Sequence, residues 1–302
     1  IWKSKGGLPP DDTVQTEAEI QNDTERLLNK WHDESPGAMV RISLAPCSPF
    51  SVTEELMRET AAFAKTNGLR LHTHLAETLD EEQFCLDTTG KRPVDFIESL
   101  GWLGGQSWFA HAVHLSDSEI ARMGAAGAGI SHCPSSNMRL GSGIARIREL
   151  LQAGVHVSLG VDGSASNDSG NMLQEMRNAM LLSRLREASC WLTAREVLYM
   201  ATRGGAAVLG RNDIGQLSSG KQADLALFDM SRLEYAGGMS DPVAALLFCV
   251  RSAPVDQLMV KGTWRIRNGN SPVDENALIT EHNRIAAEML SRAEKNTGIK
   301  FR

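Results

Sequence analysis

The chain has 302 residues, 42% hydrophobic and 23% charged, with a formal net charge of −6 at neutral pH. That balance suits an ordinary globular protein and supplies no basic footprint for nucleic acid or an anionic membrane surface. No apolar run reaches the roughly 18–20 residues of a membrane span and no charged-then-apolar leader is seen, so a cytoplasmic location is expected.

The chain opens I-W-K-S-K-G-G-L-P-P-D-D, without an initiator methionine or an evident secondary element, and reads like the continuation of an earlier segment. From about residue 40 to 162, short β-rich runs alternate with amphipathic helical patterns. Strands are expected at 39–44, 69–74, 108–111, 128–132 and 155–162, with helices at 54–67, 117–126 and 144–153 between them. Strands alternating with helices imply parallel βα units, and a spacing of about 20–40 residues per unit is that of a (β/α)8 barrel. Only five strands are visible, which leaves roughly three units of such a barrel unaccounted for.

Past residue 162 the pattern is helical at 171–186 and 193–209, and then changes character. The runs 214–229 and 256–269 look like strand and hairpin segments, with turn signals at Lys261-Gly262 and Asn268-Gly269. A helix at 275–295, charged on one side and apolar on the other, closes the chain. The expected class is α/β: a TIM-type barrel portion at 1–210, a β-sandwich segment at 211–273 and a C-terminal helix at 274–302. The five cysteines, Cys47, Cys85, Cys133, Cys190 and Cys249, include no C-x-x-C pair, which argues against a zinc ribbon or a disulfide framework.

The strand ends carry the chemistry. In L-R-L-H-T-H-L-A-E-T (69–78), His72 and His74 share one strand face while Leu71, Thr73 and Leu75 share the other, and Glu77 follows at the rim. V-H-V-S-L-G-V-D (155–162) repeats the pattern, with His156, Ser158, Gly160 and Asp162 expected inward. His111 ends W-F-A-H and His132 ends G-I-S-H. In a barrel these ends form the mouth where active sites lie. Imidazole with carboxylate is the donor set of a catalytic zinc or a similar divalent ion, which acidifies bound water, and a glutamate outside the donor set can move protons. Taken singly, His114, His132 and His156 are more readily read as hydrogen-bonded structural histidines than as ligands. The matched strand-end positions of His74, Glu77 and Asp162 favour function. The stretch H-C-P-S-S-N-M-R-L-G-S-G (132–143) reads as a polar loop able to touch a ligand through Ser135, Ser136 or Asn137.

H-L-A-E-T (74–78), A-H-A-V-H-L-S (110–116), the 132–143 stretch and L-G-V-D-G-S-A-S-N-D (159–168) resemble the amidohydrolase superfamily, in its aminohydrolase branch. The run from 201 to 228 is similar to that family's join between barrel and β-sandwich. S-K-G-G-L-P-P-D (4–11), A-P-C-S-P-F-S-V (45–52) and 71–78 are most similar to its 8-oxoguanine deaminase and hydroxyatrazine ethylaminohydrolase group.

The resemblance implies one divalent metal, usually zinc with iron as the alternative. His74 would be the strand-five ligand and Asp162 the strand-eight ligand. Glu77 would shuttle a proton from water to a ring nitrogen, and His111 would hold or polarise the group under attack. Asp162 would also take a proton from the water. Arg41 and Cys47 would meet a small heterocyclic substrate; His72, which could ligate, line the pocket or orient its neighbour, and Asn137 of the polar loop join them as substrate-facing candidates on the reading of the residues. The implied reaction is hydrolytic deamination, taking 8-oxoguanine to urate and ammonia. Guanine, another guanine-like ring or a hydroxytriazine are the alternatives within the class, and members of the family often form homodimers. Nucleic acid and membrane are not expected partners.

The family's first-strand His-x-His is not in this chain. His72-x-His74 stands too close to Asp162, at about 90 residues, for a first-to-eighth strand span. The expectation is therefore that the natural protein starts well over a hundred residues earlier, and that these 302 residues alone hold two of four ligands and are inactive. A non-catalytic barrel remnant used for binding or assembly is the reading from another class.

Overall fold

The computed structural model describes residues 14–249 and 254–300. It forms two compact units, one of residues 14–222 with 230–249 and one of 223–229 with 254–300. The 4–11 stretch lies outside the described residues.

The first unit is built on a parallel sheet of five strands in sequential order: β1 (Ser43–Leu44), β2 (Arg70–Leu75), β3 (Ser107–His111), β4 (Gly129–His132) and β5 (His156–Leu159). Each strand pairs in parallel with the next, for example His74 beside Ala110 and Ser131 beside Ser158. Helix α1 (Glu17–Trp31) precedes the sheet. The connections carry α2 (Glu54–Asn67), α3 (Leu79–Thr89), α4 (Pro93–Ser99), α5 (Asp117–Ala125), α6 (Pro134–Leu140) and α7 (Ile147–Gln152). Then come α8 (Met172–Ser183), α9 (Ala194–Tyr199), α10 (Gly205–Val208) and, within this unit, α11 (Pro242–Phe248).

Local sequence explains most of these bounds. Thr53 caps α2 by accepting the Leu56 N–H, and Gly68 ends it in the left-handed region at φ 67°. Ser116 and Glu119 form a reciprocal capping box on α5, as Thr193 and Glu196 do on α9. The helical pattern at 193–209 is interrupted by a π-turn at Met200–Gly204. There Gly204 lies so close to β5 that an added Cβ would sit 2.3 Å from the Val157 carbonyl oxygen.

The core lies between the sheet and its helices. Leu71, Leu75, Phe109, Ile130, Val157, Met57, Ile97, Met123, Leu150 and Met180 are essentially buried. Full burial of such side chains stabilises by ~1.5–3 kcal/mol each. Trp102 joins them and spends its one donor on the Met57 carbonyl, at 2.8 Å.

The second unit is a three-stranded antiparallel sheet of β6 (Leu225–Leu227), β7 (Gln257–Val260) and β8 (Thr263–Ile266), followed by α12 (Glu275–Thr297). The β7–β8 turn places Lys261 and Gly262 at φ 49° and 74°, the backbone of a two-residue hairpin. Among the described residues no helix is long and apolar enough to cross a membrane.

Candidate metal and catalytic site at the C-terminal mouth of the sheet

Alternation along β2 buries Leu71, Thr73 and Leu75 and leaves His72 and His74 half-buried on the other face. At the ends of β2, β3 and β5 the backbone turns sharply: Ala76, His111, Ala112 and Asp162 have φ of 51°, 70°, 51° and 63°. Four side-chain-bearing residues in left-handed geometry at one end of one sheet mark where the fold tolerates strain.

These turns bring His74, His111 and Asp162 together, with one candidate ligand atom from each lying within 4.8 Å of the others. His74 Nε2 is 4.0 Å from Asp162 Oδ1, and His111 Nε2 is 3.9 Å from Asp162 Oδ2. The two imidazoles stack with centroids 5.3 Å apart. Glu77 Oε2 stands 3.5 Å from His111 Nε2, and its other oxygen accepts from the Ser142 hydroxyl at 3.3 Å.

Each ring is aimed by its far nitrogen. His74 Nδ1 donates to the Cys47 carbonyl, which also accepts the His74 N–H and the Thr73 hydroxyl. His111 Nδ1 donates to Asn137 Oδ1 at 2.8 Å, so Nε2 presents its lone pair. That Nε2 is buried without a hydrogen-bond partner among the described residues. Two imidazole lone pairs and a carboxylate converging on one point, one of them an orphaned buried nitrogen, fit a divalent metal such as zinc. Hydrogen bonding to Cys47, against the cost of burial and with help from Asp162, pushes His74 up to about 9, so a metal taking its lone pair would displace a proton. Burial pushes the Asp162 carboxyl up, but hydrogen bonds led by the Ser136 hydroxyl outweigh it and hold the group below its ordinary value. The Ser136 hydroxyl donates to Asp162 Oδ2 at 2.5 Å and the Ser166 hydroxyl at 3.1 Å.

The remaining expected residues divide. His72 stands apart from the converging donors: it stacks on Trp108 at 4.8 Å, bonds the Trp108 carbonyl through Nδ1, and is pushed down to about 4 by burial. Arg41 precedes β1, at the end of the sheet away from the mouth; it is exposed and its guanidinium donates to the Glu34 carbonyl. Its expected place at the substrate is not where the fold puts it. Cys47 reaches the site twice, its carbonyl accepting from His74 Nδ1 and its thiol hydrogen-bonding the same ring. Asn137 is completely buried behind His111, within α6, instead of on a loop facing a ligand. Within the 132–143 stretch, Pro134–Leu140 is a helix because Pro134 takes its first position and Gly141 ends it at φ 71°. His156, expected inward, is exposed because it begins β5 at the end opposite the mouth. His132 is fully buried and pushed down to about 3 by that burial, and His114 bonds the Ser142 carbonyl.

Four supporting residues escape a reading of motifs. Glu81 is buried and accepts the Ala76 and Glu77 N–H groups at 2.8 and 2.7 Å, fixing the peptide that carries Glu77. Its place three residues after the Thr78 cap was a usable signal; Ser142, Ser166 and Glu175 had none. Cavity size does not locate the site either. A groove of about 880 Å3 runs beside edge strand β1, lined by residues such as Ile20, Leu27, Leu44 and Phe63, and of the site residues only Cys47 reaches it.

Comparison with known proteins identifies the fold around this geometry. Residues 6–265 match the Amidohydrolase family. The chain is 52% identical over 292 residues to an 8-oxoguanine deaminase of Pseudomonas aeruginosa, covering 96% of this chain and 65% of that one. It is 40% identical over 236 residues to an isoxanthopterin deaminase of an unknown prokaryotic organism, covering 73% and 49%. The crystal structure of an atrazine chlorohydrolase from Arthrobacter aurescens TC1, complexed with zinc, superimposes with a TM-score of 0.88 at 35% identity, covering 94% and 63%. The chain thus spans about half to two-thirds of the length of these relatives. It belongs to the amidohydrolase family, and its five parallel strands are part of that family's α/β TIM-type barrel.

Proposed function

We propose that the protein is, or is part of, a metal-dependent hydrolase of carbon–nitrogen bonds that deaminates a guanine-like heterocycle, with 8-oxoguanine as the substrate. One observation carries this: the orphaned His111 Nε2 converges with His74 and Asp162 while an acid/base group, Glu77, stands 3.5 Å away outside that set. The 52% identity to an 8-oxoguanine deaminase supports the substrate, and the deaminase and chlorohydrolase relatives support displacement at a heteroaromatic carbon.

His74 and Asp162 would hold the metal, with His111 Nε2 as the third donor atom facing the same point. Zinc there would supply Lewis acidity and acidify water at neutral pH. The chain's own residues do the rest. Glu77 is held by Ser142 from one side and by the Glu81-anchored peptide below it, so its Oε2 can pass a proton from water to a ring nitrogen without a large swing. Asp162, its Oδ2 fixed by two hydroxyls, keeps Oδ1 toward His74 and can accept the second proton of the water. His111, locked by Asn137, orients the attacked group. The water oxygen bonds the amino-bearing carbon, the proton taken by Asp162 passes to the amino group, and the C–N bond breaks to release ammonia.

The test is ammonia release by the full-length protein from 8-oxoguanine, guanine, isoxanthopterin and hydroxytriazines, before and after chelation and zinc return. Preference for 8-oxoguanine that disappears with chelator and returns with zinc is expected. Turnover of triazines alone would overturn the substrate, and turnover indifferent to chelation would overturn the metal.

A further inference from the structure

Glu175 is the fourth residue of α8 and is completely buried. Among the described residues no lysine, arginine or histidine pairs with it. Three donors surround its carboxylate instead. Oε2 accepts the Ser135 N–H at 3.1 Å, and Oε1 accepts the Ser135 hydroxyl at 2.5 Å and the Asn167 amide at 2.9 Å. The Asn167 amide also donates to the Val161 carbonyl at 2.8 Å, and Asn178 donates to the Ser135 hydroxyl at 2.8 Å. Placement in the first turn of α8 adds the favourable end of the helix dipole. A buried charge without a counter-ion persists only when its hydrogen bonds are complete.

What those donors belong to gives the arrangement its meaning. Ser135 lies in the turn of α6 that also carries Ser136, bonded to Asp162, and Asn137, bonded to His111. Asn167 lies in the segment that carries Asp162 itself and Ser166. One carboxylate therefore ties together the two turns that follow β4 and β5. We propose that Glu175 is a positioning residue whose buried carboxylate clamps these two turns and so sets the spacing between His111 and Asp162. This rests on the reading that those two residues face a bound metal; Glu175 itself touches neither metal nor substrate.

The test uses the full-length protein with cobalt(II) as the probe, comparing wild type with Glu175→Gln and Asn167→Ala. Glu175→Gln keeps the size but turns an amide donor toward the donors of Ser135 and Asn167. The expected results are retention of cobalt against a chelator weakened about tenfold or more, shifted visible absorption bands, and faster amide exchange in 133–140 and 161–168. Asn167→Ala, which frees only one turn, should move the same readouts in the same direction by a smaller factor, and it stands alone should Glu175→Gln fail to fold. A role limited to general stability would lower the unfolding temperature and leave the cobalt bands in place, which overturns the proposal. Unchanged retention, bands and exchange would overturn it too. Faster exchange in both turns of the variants, beside a wild type that holds no cobalt, would uphold the clamp and sink the metal reading.

Discussion

Where the strands of the parallel sheet begin, the chain enters β2, β4 and β5 through Gly68, Gly127 and Gly154, left-handed at φ 67°, 66° and 84°. Where β2, β3 and β5 finish, the same region of backbone space is taken by Ala76, His111, Ala112 and Asp162. Glycine adopts that geometry without steric cost, and at 68 and 154 a side chain would meet no atom within 4 Å. A residue with a Cβ pays about 1–2 kcal/mol for it. The entry end is thus made by local chemistry, whereas the mouth is held in place from outside by Glu81 under Ala76 and Glu77, Asn137 behind His111, and Ser136 and Ser166 on Asp162. The lesson is that the barrel spends strain where its donors converge and avoids it where it only turns.

The most severe way to break this contrast is at the mouth. Asp162→Asn keeps the shape but removes the charge that the hydroxyls and histidines surround. Activity should fall by about a thousandfold or more, with metal content dropping below one equivalent and the unfolding temperature little changed. Steady-state ammonia release with elemental analysis checks this, and near-wild-type turnover would remove Asp162 from the chemistry.

A milder pair sharpens it. Gly154→Ala should destabilise by about 1 kcal/mol and leave activity intact, because only the backbone objects. Ala76→Gly should fall within about 0.5 kcal/mol of wild type, since relief of strain offsets the greater freedom of glycine in the unfolded chain. Urea denaturation of both variants decides, and equal losses at the two ends would erase the distinction.

The smallest effect lies on the flanking helices. Arg186 forks onto Glu149 with two bonds of 2.8 and 2.6 Å and pulls that carboxyl down to about 2. A depressed folded pKa contributes stability that is complete above the unfolded value, about 4.3, and is lost as pH falls through about 2. Arg186→Met should therefore flatten the decline of the unfolding temperature between those limits while leaving the mouth unaffected. A decline identical to wild type would assign the acid sensitivity elsewhere.

Period-two alternation in 69–75 and capped helical runs such as 54–67 were enough to read parallel βα units, and α2 occupies 54–67 as expected. His74, Glu77, His111 and Asp162, which the structure brings together, were legible as candidates because each ends a strand or follows one directly. His156 was misplaced because a pattern shows which face a residue takes but not how near the end of the strand it sits, whereas Arg41, carried over from the family resemblance, lies before β1 and bonds the Glu34 carbonyl. The helix at 134–140 was missed because seven residues, the first four of them Pro, Ser, Ser and Asn, carry too little periodicity, even with a proline at the start and a glycine just past the end.

By itself, then, the sequence determined the kinds of element, their order, the glycine turns and the inventory of donors, since all of these depend on neighbours within a few positions. Tertiary structure alone decided that His111 would be aimed by a residue 26 positions away, and that Glu175 would reach back 40 positions to Ser135. Such bonds leave no local trace, because each partner is an ordinary polar residue until the parallel sheet sets the strand ends side by side.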